Sequence, residues 1–386
     1  MAKEISIVLN QKIYIKDDVI ISALGFSTEE NIQQISKGIS AIKKHGIGSK
    51  AYYTSIIEEE LINQQFQKIG DINAFTKLEK ILLLATQQLF DKNPDIDKNT
   101  LEMVIASTKG NIYLLGENHD FSEERVLLSA LSEILQIFFG LKHQPVVVSN
   151  ACVSSGLAIS VARQLLQKET TENVMVLGGD LVSEFVLSGF DSFQALAEGI
   201  CRPYDKDRSG INIGEAVAGM LLSKQPIKGI NTAILAEANV NDANHISGPS
   251  RTGEGLYLSV KKVIALAQKT TKDIDYISAH GTATLFNDQM ESVAFNRLEM
   301  QDVPLNSLKA YFGHTLGAAT LLETIVANYS LKNNMIFSSM GLQALDSNIQ
   351  LNVVKATINK ELKTILKTAS GFGGSNFAML LQKEMY

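Results

Sequence analysis

The amino-acid sequence predicts an α/β protein, and two observations lead to this prediction. Short runs of β-branched residues alternate along the chain with segments whose apolar residues recur at helical spacing. The chain also has 386 residues, 45% of them hydrophobic, which is enough for one large core or two closely packed ones. No linker rich in Pro, Ser or Gly divides the chain, and no repeat is visible in the sequence.

In the first half, three valine-rich segments are predicted as buried strands: Val104–Ser107, Val146–Ser149 and Val174–Leu177. Between the last two, apolar residues from 153 to 166 share one helix face. Residues 145–178 are therefore predicted to form a strand–helix–strand unit.

The second half repeats this style. A strand is predicted at Asp275–Ser278 and a helix at Leu316–Leu331. Two further strands, Thr364–Thr368 and Phe377–Leu381, are predicted on either side of a glycine-rich turn. Charge, proline and glycine cluster at Lys224–Gly229, so we expect one half at residues 1–226 and the other at residues 227–386.

Composition narrows the class of function. The net charge of −6 leaves no basic excess to neutralise phosphates, so nucleic-acid binding is not expected. Two cysteines in a chain of this length do not make a disulfide framework, which favours a reducing compartment. Acidic residues interrupt the apolar runs near the N-terminus, and no apolar run is long enough to span a bilayer. We therefore expect a cytoplasmic protein with no membrane association.

Cys152 is the first candidate for chemistry. It lies where a predicted strand gives way to a helix, and the unpaired N–H groups of a helix N-terminus favour a thiolate there. Strand–turn–helix placement is also the logic of the nucleophile elbow of hydrolases. Taken alone, the position favours a small buried thiol, as most free cysteines are. Cys201 lacks this context and is interpreted as structural.

Two histidines also have an unusual context. His280 ends a predicted strand and is followed by a glycine, and His314 comes just before a predicted helix. Imidazoles near a thiolate can donate hydrogen bonds to an oxyanion or transfer protons. Cysteine and histidine also bind metals, but the chain has no CxxC, HExxH or close histidine pair, so no metal site is expected.

Five short motifs follow one another between residues 145 and 381. The first is N-A-C-V-S-S-G at 150–156, and the second is C-R-P-Y-D-K-D-R-S-G at 201–210, followed by G-E at 214–215. The third is H-G-T-A-T at 280–284, followed by Asn287, Asp288 and Glu291. The fourth is Lys309 with G-H-T-L-G-A at 313–318, and the fifth is G-F-G-G-S-N at 371–376. In this order they resemble the β-ketoacyl-[acyl carrier protein] synthases of the KAS I/II class. That resemblance implies the thiolase fold, in which two similar α/β halves pack as five α-β-α-β-α layers, usually in a homodimer.

The resemblance also implies a mechanism. Cys152 would attack an acyl thioester delivered on an acyl carrier protein, and the N–H groups of Cys152 and Phe372 would form the oxyanion hole. Malonyl carrier would then lose CO2, and its enolate, stabilised by His280 and His314, would attack the acyl-enzyme. Phe372 would also act as a gate over the acyl pocket.

The remaining site residues follow from the same resemblance. Lys309, paired with Glu291, would hold the charge and geometry of the site. Thr282 and Thr284 would hydrogen-bond the phosphopantetheine arm, and Gly373 would line the substrate site. No dissociable cofactor is implied, because the arm belongs to the carrier.

Acyl carrier proteins are acidic, so docking requires a local basic patch on this acidic chain. The candidates are Lys43, Lys44, Lys50 and Arg202. A related partner subunit, giving a heterodimer, stays open.

Other functions stay open at this point. A non-catalytic chain-length-factor-like subunit would share the fold, but such subunits lack the cysteine. A Cys/His hydrolase would use the same residue types and release a free acid. Leu285 and Phe286 stand where proline is usual, and H-G-T-A-T-x-x-N-D-x-M-E is similar to synthases of aryl polyene or flexirubin-type pigment pathways. This similarity predicts a specialised synthase.

Overall fold

A computed structural model describes residues 12–116, 119–242 and 248–386. Its strands are β1 (Ile13–Ser22), β2 (Lys43–Ile47), β3 (Lys50–Ser55), β4 (Glu102–Ala106), β5 (Val146–Val148), β6 (Asn173–Asp180), β7 (Ile213–Gly214), β8 (Ala216–Ser223), β9 (Ile230–Asn241), β10 (Tyr276–Ser278), β11 (Leu305–Asn306), β12 (Met335–Ile336), β13 (Ile358–Asn359), β14 (Thr364–Ser370) and β15 (Ser375–Met385).

Its α-helices are α1 (Thr28–Ser36), α2 (Glu59–Phe66), α3 (Lys77–Lys92), α4 (Leu128–Phe139), α5 (Ser154–Leu165), α6 (Glu184–Ser192), α7 (Glu254–Leu266), α8 (Leu285–Arg297), α9 (Lys309–Phe312) and α10 (Ala319–Asn333). Short 3₁₀ turns lie at Ile112–Gly116, Glu123–Val126, Thr271–Asp273 and Leu316–Ala318. Among these described residues, none of the helices combines the length and apolar content that crossing a bilayer requires.

The main sheet consists of two half-sheets of the same topology. The N-terminal half-sheet has the order β5-β4-β6-β8-β1, and the C-terminal half-sheet has the order β11-β10-β14-β15-β9. In each, the first three strands are parallel and the next two pair antiparallel. The half-sheets join where Ile13 and Tyr14 of β1 pair with Ile234 and Ala233 of β9. The fold therefore contains a repeat that the sequence does not show.

Alternate residues of each strand face different layers. Val104 and Ala106 of β4 belong to the central core with α5, α10 and the C-terminal half-sheet. Met103 and Ile105 face the opposite way, into a core with α3 and α4. The outer face of the C-terminal half-sheet packs on α7 and α8 in a third core. The five layers and the thiolase fold are thus confirmed.

The strands and helices predicted from the sequence are confirmed to within a few residues, with two corrections. Val146 was expected in a buried strand, but β5 is the edge of the sheet and this side chain is 39% exposed. The helix predicted from Leu316 begins at Ala319, after a 3₁₀ turn. The division at residues 226 and 227 stays a prediction.

Candidate active site

Cys152 lies in a tight turn between β5 and α5. The preceding residue, Ala151, has a left-handed backbone (φ +42°), which costs energy in a non-glycine residue and is typical of functional turns. The N–H of Val153 donates to the carbonyl of Asn150 at 3.2 Å, and the N–H of Ser154 donates to the carbonyl of Ala151 at 3.2 Å. This turn directs the Cys152 thiol into the interior, where the residue is 7% exposed.

Burial raises the pKa of the Cys152 thiol to about 11, while the Lys309 charge and the N–H of Phe372 act in the opposite direction. The sequence favoured a lowered pKa because of the helix N-terminus. The structure differs because the sulfur is removed from water, and desolvation disfavours the charged thiolate. The thiolate therefore depends on hydrogen-bond donors in the site.

The first of these donors is His314. Its Nε2 lies 2.8 Å from Sγ of Cys152. The His280 ring stands nearly perpendicular to the His314 ring, at 84°, with the ring centroids 5.3 Å apart. One ligand atom from each of the three side chains lies within 4.8 Å of the others, so one small group can contact all three.

Both histidines lie in surroundings that favour the neutral form. Burial, followed by the charge of Lys309, holds the pKa of His280 and of His314 well below the usual value. The Nδ1 atoms of both rings are buried and have no hydrogen-bond partner among the described residues. A proton on Nε2 would be available to a group in the cavity, whereas a proton on Nδ1 would have no acceptor among the described residues.

Glu291 shapes the loop that carries His280. Its carboxylate accepts the N–H of His280 at 2.9 Å and the N–H of Gly281 at 2.8 Å. Gly281 has φ +42°, and a Cβ there would lie 2.4 Å from Cβ of Ser307, so only glycine fits. Tyr204 donates its hydroxyl to the same carboxylate at 2.9 Å.

The expected pairing of Lys309 with Glu291 is wrong. Lys309 is fully buried, forms an ion pair with Glu323 of α10 and donates to the carbonyl of His280 at 3.1 Å. Glu291 is instead occupied by backbone N–H groups, which satisfy a carboxylate without a counter-ion. Lys309 therefore supports His280 from the other side of the loop.

Glu323 has a second cationic partner, Lys367, and the sequence analysis found neither residue. Nζ of Lys367 lies 2.6 Å from Oε2 of Glu323, and its side chain has no exposed surface. Glu323 and its two lysine partners thus form a buried charged cluster, which contacts the carbonyl of His280 through Lys309. Such a cluster is predicted by a charged residue inside an otherwise apolar helix, as at Glu323, or inside a buried strand, as at Lys367.

Two cavities meet at Cys152 and Phe372. The larger, of 410 Å³, is lined by both histidines and by Thr282 and Thr284. The smaller, of 180 Å³, is lined mainly by apolar side chains: Phe185, Val186, Phe190, Phe193 and Leu316, with Lys109 at its wall. Cys152 therefore lies where a larger cavity that carries the polar site residues meets a smaller, apolar one.

Phe372 lies on the boundary between the cavities. Its ring stacks on Phe190 of α6 at 5.4 Å between centroids, and Phe193 meets it edge-on at 5.6 Å. The preceding Gly371 packs against the nucleophile turn, where a Cβ would lie 3.2 Å from the backbone nitrogen of Cys152. These two partner rings were not predicted from the sequence, because α6 and the residue that follows it carry no motif.

The other predicted substrate residues lie in different surroundings. The hydroxyls of Thr282 and Thr284 are 2.8 Å apart, and both side chains line the larger cavity. Gly373 lines neither cavity, and its carbonyl accepts a hydrogen bond from Asn241 at 2.8 Å. The structure thus brings the threonines to the site and leaves Gly373 in the supporting turn.

The motif at residues 201–215 supports the site from outside, because none of its charged residues lines either cavity. Tyr204 donates its N–H to Asp288 at 2.8 Å, and Arg208 forms an ion pair with Asp346 at 2.7 Å. Cys201 is buried in a small apolar cluster, and burial raises the pKa of its thiol to about 12. This environment fits the structural role expected of it.

The four basic residues proposed for docking are not equivalent. Lys43 and Lys44 are exposed on β2. Lys50 is paired with Asp191 at 2.6 Å, and Arg202 donates to the carbonyl of Asp207 at 2.9 Å. Lys43 and Lys44 are therefore the more available charges.

Comparison with known families agrees with this site. Residues 52–226 match the model of the beta-ketoacyl synthase N-terminal domain, and residues 232–343 match that of the C-terminal domain. Together the matches cover most of the chain. The chain therefore belongs to the β-ketoacyl synthase family, whose enzymes form β-ketoacyl products by condensation in fatty-acid and polyketide biosynthesis.

Similar proteins are named accordingly. The 3-oxoacyl-[acyl-carrier-protein] synthase 1 of Buchnera aphidicola is 25% identical, with 94% of this chain and 97% of that protein covered. The oxytetracycline polyketide putative beta-ketoacyl synthase 1 of Streptomyces rimosus is 29% identical, with 72% of this chain and 70% of that protein covered. Among solved structures, a ketosynthase (ApeO) in complex with its chain length factor (ApeC) from Xenorhabdus doucetiae superposes with a TM-score of 0.85 at 23% identity, covering 97% and 98% of the two chains.

Proposed function

We propose that the chain holds an acyl group on Cys152 and condenses it with a malonyl group carried by an acyl carrier protein, releasing CO2. The observation that supports this most directly is the position of Cys152 between two cavities, with Nε2 of His314 at 2.8 Å. The larger cavity suits a polar pantetheine arm, with Thr282 and Thr284 as its hydrogen-bond partners, and the apolar one suits an acyl chain.

The first step is acyl transfer. The Cys152 thiolate accepts hydrogen bonds from Nε2–H of His314 and N–H of Phe372, and attacks the thioester carbonyl. A carbon–sulfur bond to Cys152 forms and the bond to the carrier sulfur breaks. The proton lost by the thiol balances the proton taken up by the departing carrier thiol. The N–H groups of Cys152 and Phe372 serve as the oxyanion hole.

The second step is decarboxylative condensation. The malonyl C–C bond breaks, CO2 leaves, and the electron pair moves onto the thioester oxygen, which accepts Nε2–H from His280 and His314. The enolate carbon attacks the acyl-Cys152 carbonyl, and the thiolate departs and recovers its proton from water. Neutral histidines suit this step because each presents a donor without adding a titrating charge.

The carrier and any partner subunit follow from the names of the similar proteins. One solved neighbour is described as a type II PKS acyl-carrier protein in complex with its ketosynthase. A second copy, or a related subunit as in the ketosynthase–chain length factor pair, would join at the exposed edge of β5 beside Val146. With Cys152 and both histidines present, a non-catalytic subunit role is not favoured.

No cofactor beyond the carrier's arm is needed in this scheme, because hydrogen-bond donors supply the stabilisation of both intermediates. Both cysteines are free thiols, which suits a cytoplasmic enzyme. The four phenylalanine rings around the smaller cavity, with Phe372 as its gate, suit a planar conjugated acyl chain, as in aryl polyene or flexirubin-type synthesis.

Intact-protein mass spectrometry after incubation with saturated, polyenoyl and aryl-polyenoyl carrier proteins tests the covalent step. We expect an acyl-sized mass gain in the wild type and in Cys201→Ala, the matched control, and none in Cys152→Ala. Absence of any gain in the wild type would refute the proposed function. Gain from saturated donors alone would refute the conjugated substrate class, and release of free acid would indicate a hydrolase.

A further inference from the structure

Lys367 is a charged side chain for which the proposed mechanism has no use. It lies on β14, has no exposed surface, and its strand pairs with β10, which leads to His280. Fully buried lysines are rare because removing an ammonium from water is costly, so a specific compensation must exist.

The surroundings of Lys367 are built for an ammonium. Its Nζ donates to Glu323 at 2.6 Å, to the carbonyl of Thr368 at 2.8 Å and to the carbonyl of Ser278 at 3.3 Å. An ammonium has three N–H donors and no acceptor, which matches these three oxygens. A neutral amine has only two N–H donors and would make one hydrogen bond fewer to these oxygens.

Glu323 connects Lys367 to the active site. One of its oxygens binds Lys367 and the other binds Lys309, whose ammonium reaches the carbonyl of His280 at 3.1 Å. One turn earlier on α10, the hydroxyl of Thr320 donates to the carbonyl of Cys152 at 3.2 Å. A single helix thus links the lysine pair to the nucleophile turn.

We propose that Lys367 is a positioning residue: by occupying the second oxygen of Glu323, it fixes Lys309 beneath His280 and places a second buried positive charge behind that histidine. The inference rests on the proposed condensation, because only that reaction requires His280 as an uncharged donor.

The charge of the cluster supports this role. With both lysines protonated, Lys309, Lys367 and Glu323 together carry one net positive charge, which disfavours protonation of a histidine beside them. Burial lowers the pKa of Lys367, and the charge of Glu323 acts in the opposite direction. The pKa of His280 is lowered by burial first, then by Lys309, His314 and Lys367. Other titratable groups face the site from the elements packed around it: Glu291 and Asp288 of α8, Tyr204, His314 and Cys152. Glu291 is already satisfied by backbone donors, so it does not replace the lost charge.

Substitution of Lys367 need not unfold the chain. Lys367→Met leaves Glu323 and Lys309 as a neutral pair, so no uncompensated buried charge remains. A purely structural lysine would then leave no catalytic trace. The matched control is Thr368→Val on the same strand, because the Thr368 hydroxyl is buried without a partner among the described residues.

The experiment measures acylation of Cys152 and the rate of condensation with malonyl carrier between pH 4.5 and 8. We expect Lys367→Met to acylate like the wild type, while the acid-side midpoint of condensation rises by about half to one pH unit, a three- to tenfold lower rate at the acid end. The sign follows because loss of a cation raises the pKa of His280. Thr368→Val should follow the wild-type profile.

If Lys367→Met does not fold, Lys367→Gln, which keeps a donor for Glu323 without the charge, should show the same shift. Superimposable pH profiles in a folded, acylated variant would overturn the role of Lys367. Failure of the wild type to acylate would instead overturn the proposed function.

Discussion

The two half-sheets have the same strand order and pairing, yet they bring opposite chemistry to the cavities. From the N-terminal half come the sulfur of Cys152 and the aromatic rings of α6, which include Phe190. From the C-terminal half come the two histidines and the buried ions around Glu323. Under the proposed function, one scaffold used twice would separate covalent attachment of the acyl chain from electrostatic stabilisation of the enolate.

The two halves nevertheless hold one loop in the same way. In the N-terminal half, Asp180 accepts the N–H groups of Thr108 and Lys109 after β4, and in the C-terminal half Glu291 accepts those of His280 and Gly281 after β10. A buried carboxylate therefore shapes the equivalent loop on both sides. What differs is the side chain that each loop presents.

The largest expected effect comes from breaking the charged half. Glu323→Gln leaves two buried ammonium groups without a counter-ion, so we expect about 3–5 kcal/mol lower stability. Because Lys309 is released from beneath His280, condensation should fall about 100-fold or more. Urea unfolding and steady-state rates measure the two effects.

The matched control for that change is Glu361→Gln, whose carboxylate is 75% exposed and pairs with Lys363 at 3.5 Å. It should change neither stability nor rate, since exposed ion pairs contribute little. Equal stability and equal rates in the two variants would show that the buried cluster contributes no more than an exposed ion pair.

A smaller effect is expected from breaking the aromatic half. Phe190→Ala removes the ring stacked on Phe372 and enlarges the smaller cavity, so we expect the kcat/KM ratio between long and short acyl donors to rise about tenfold. Competition between two acyl carriers measures this ratio. Phe286→Ala, in a side chain that is 73% exposed and lines only the larger cavity, should leave it unchanged. An unchanged ratio in Phe190→Ala would remove this cavity as the acyl site.

The smallest effect is expected at the surface. Reversing Lys43 and Lys44 to glutamate should raise KM for an acyl carrier about three- to tenfold, through slower electrostatic association. A small thioester without a carrier should react as before. An unchanged KM for the carrier would exclude β2 from the docking surface, whereas a rise for both substrates would indicate damage to the site itself.

Much of the site was predictable because its motifs are local. Cys152, His280 and His314 each stand in a short segment with its own turn chemistry, and the structure brings all three within reach of one small group. Glu323 and Lys367 were not found because their meaning depends on each other across 44 residues. No periodicity rule pairs a charge on a helix with one on a distant strand.

The fold shows the same division. Strands with flanking turns, such as β10, were predicted within a residue, whereas the long strands β1 and β9 were not anticipated. These two strands join the half-sheets, and β9 pairs with β1 and β15, which come from opposite ends of the chain. The pKa of Cys152 was misjudged for a related reason, since burial is a property of the assembled core.

The junction at Cys152 has a consequence for the order of events. Since the nucleophile lies between the two cavities, a malonyl arm that enters before acylation occupies the path that the acyl donor must take. The two carriers would therefore compete for the free enzyme, whereas only the malonyl carrier reacts with the acyl-enzyme. The rate of product formation should pass through a maximum as the concentration of malonyl carrier increases. The ratio of the two carriers in the cell, rather than the amount of either, therefore sets the amount of product formed.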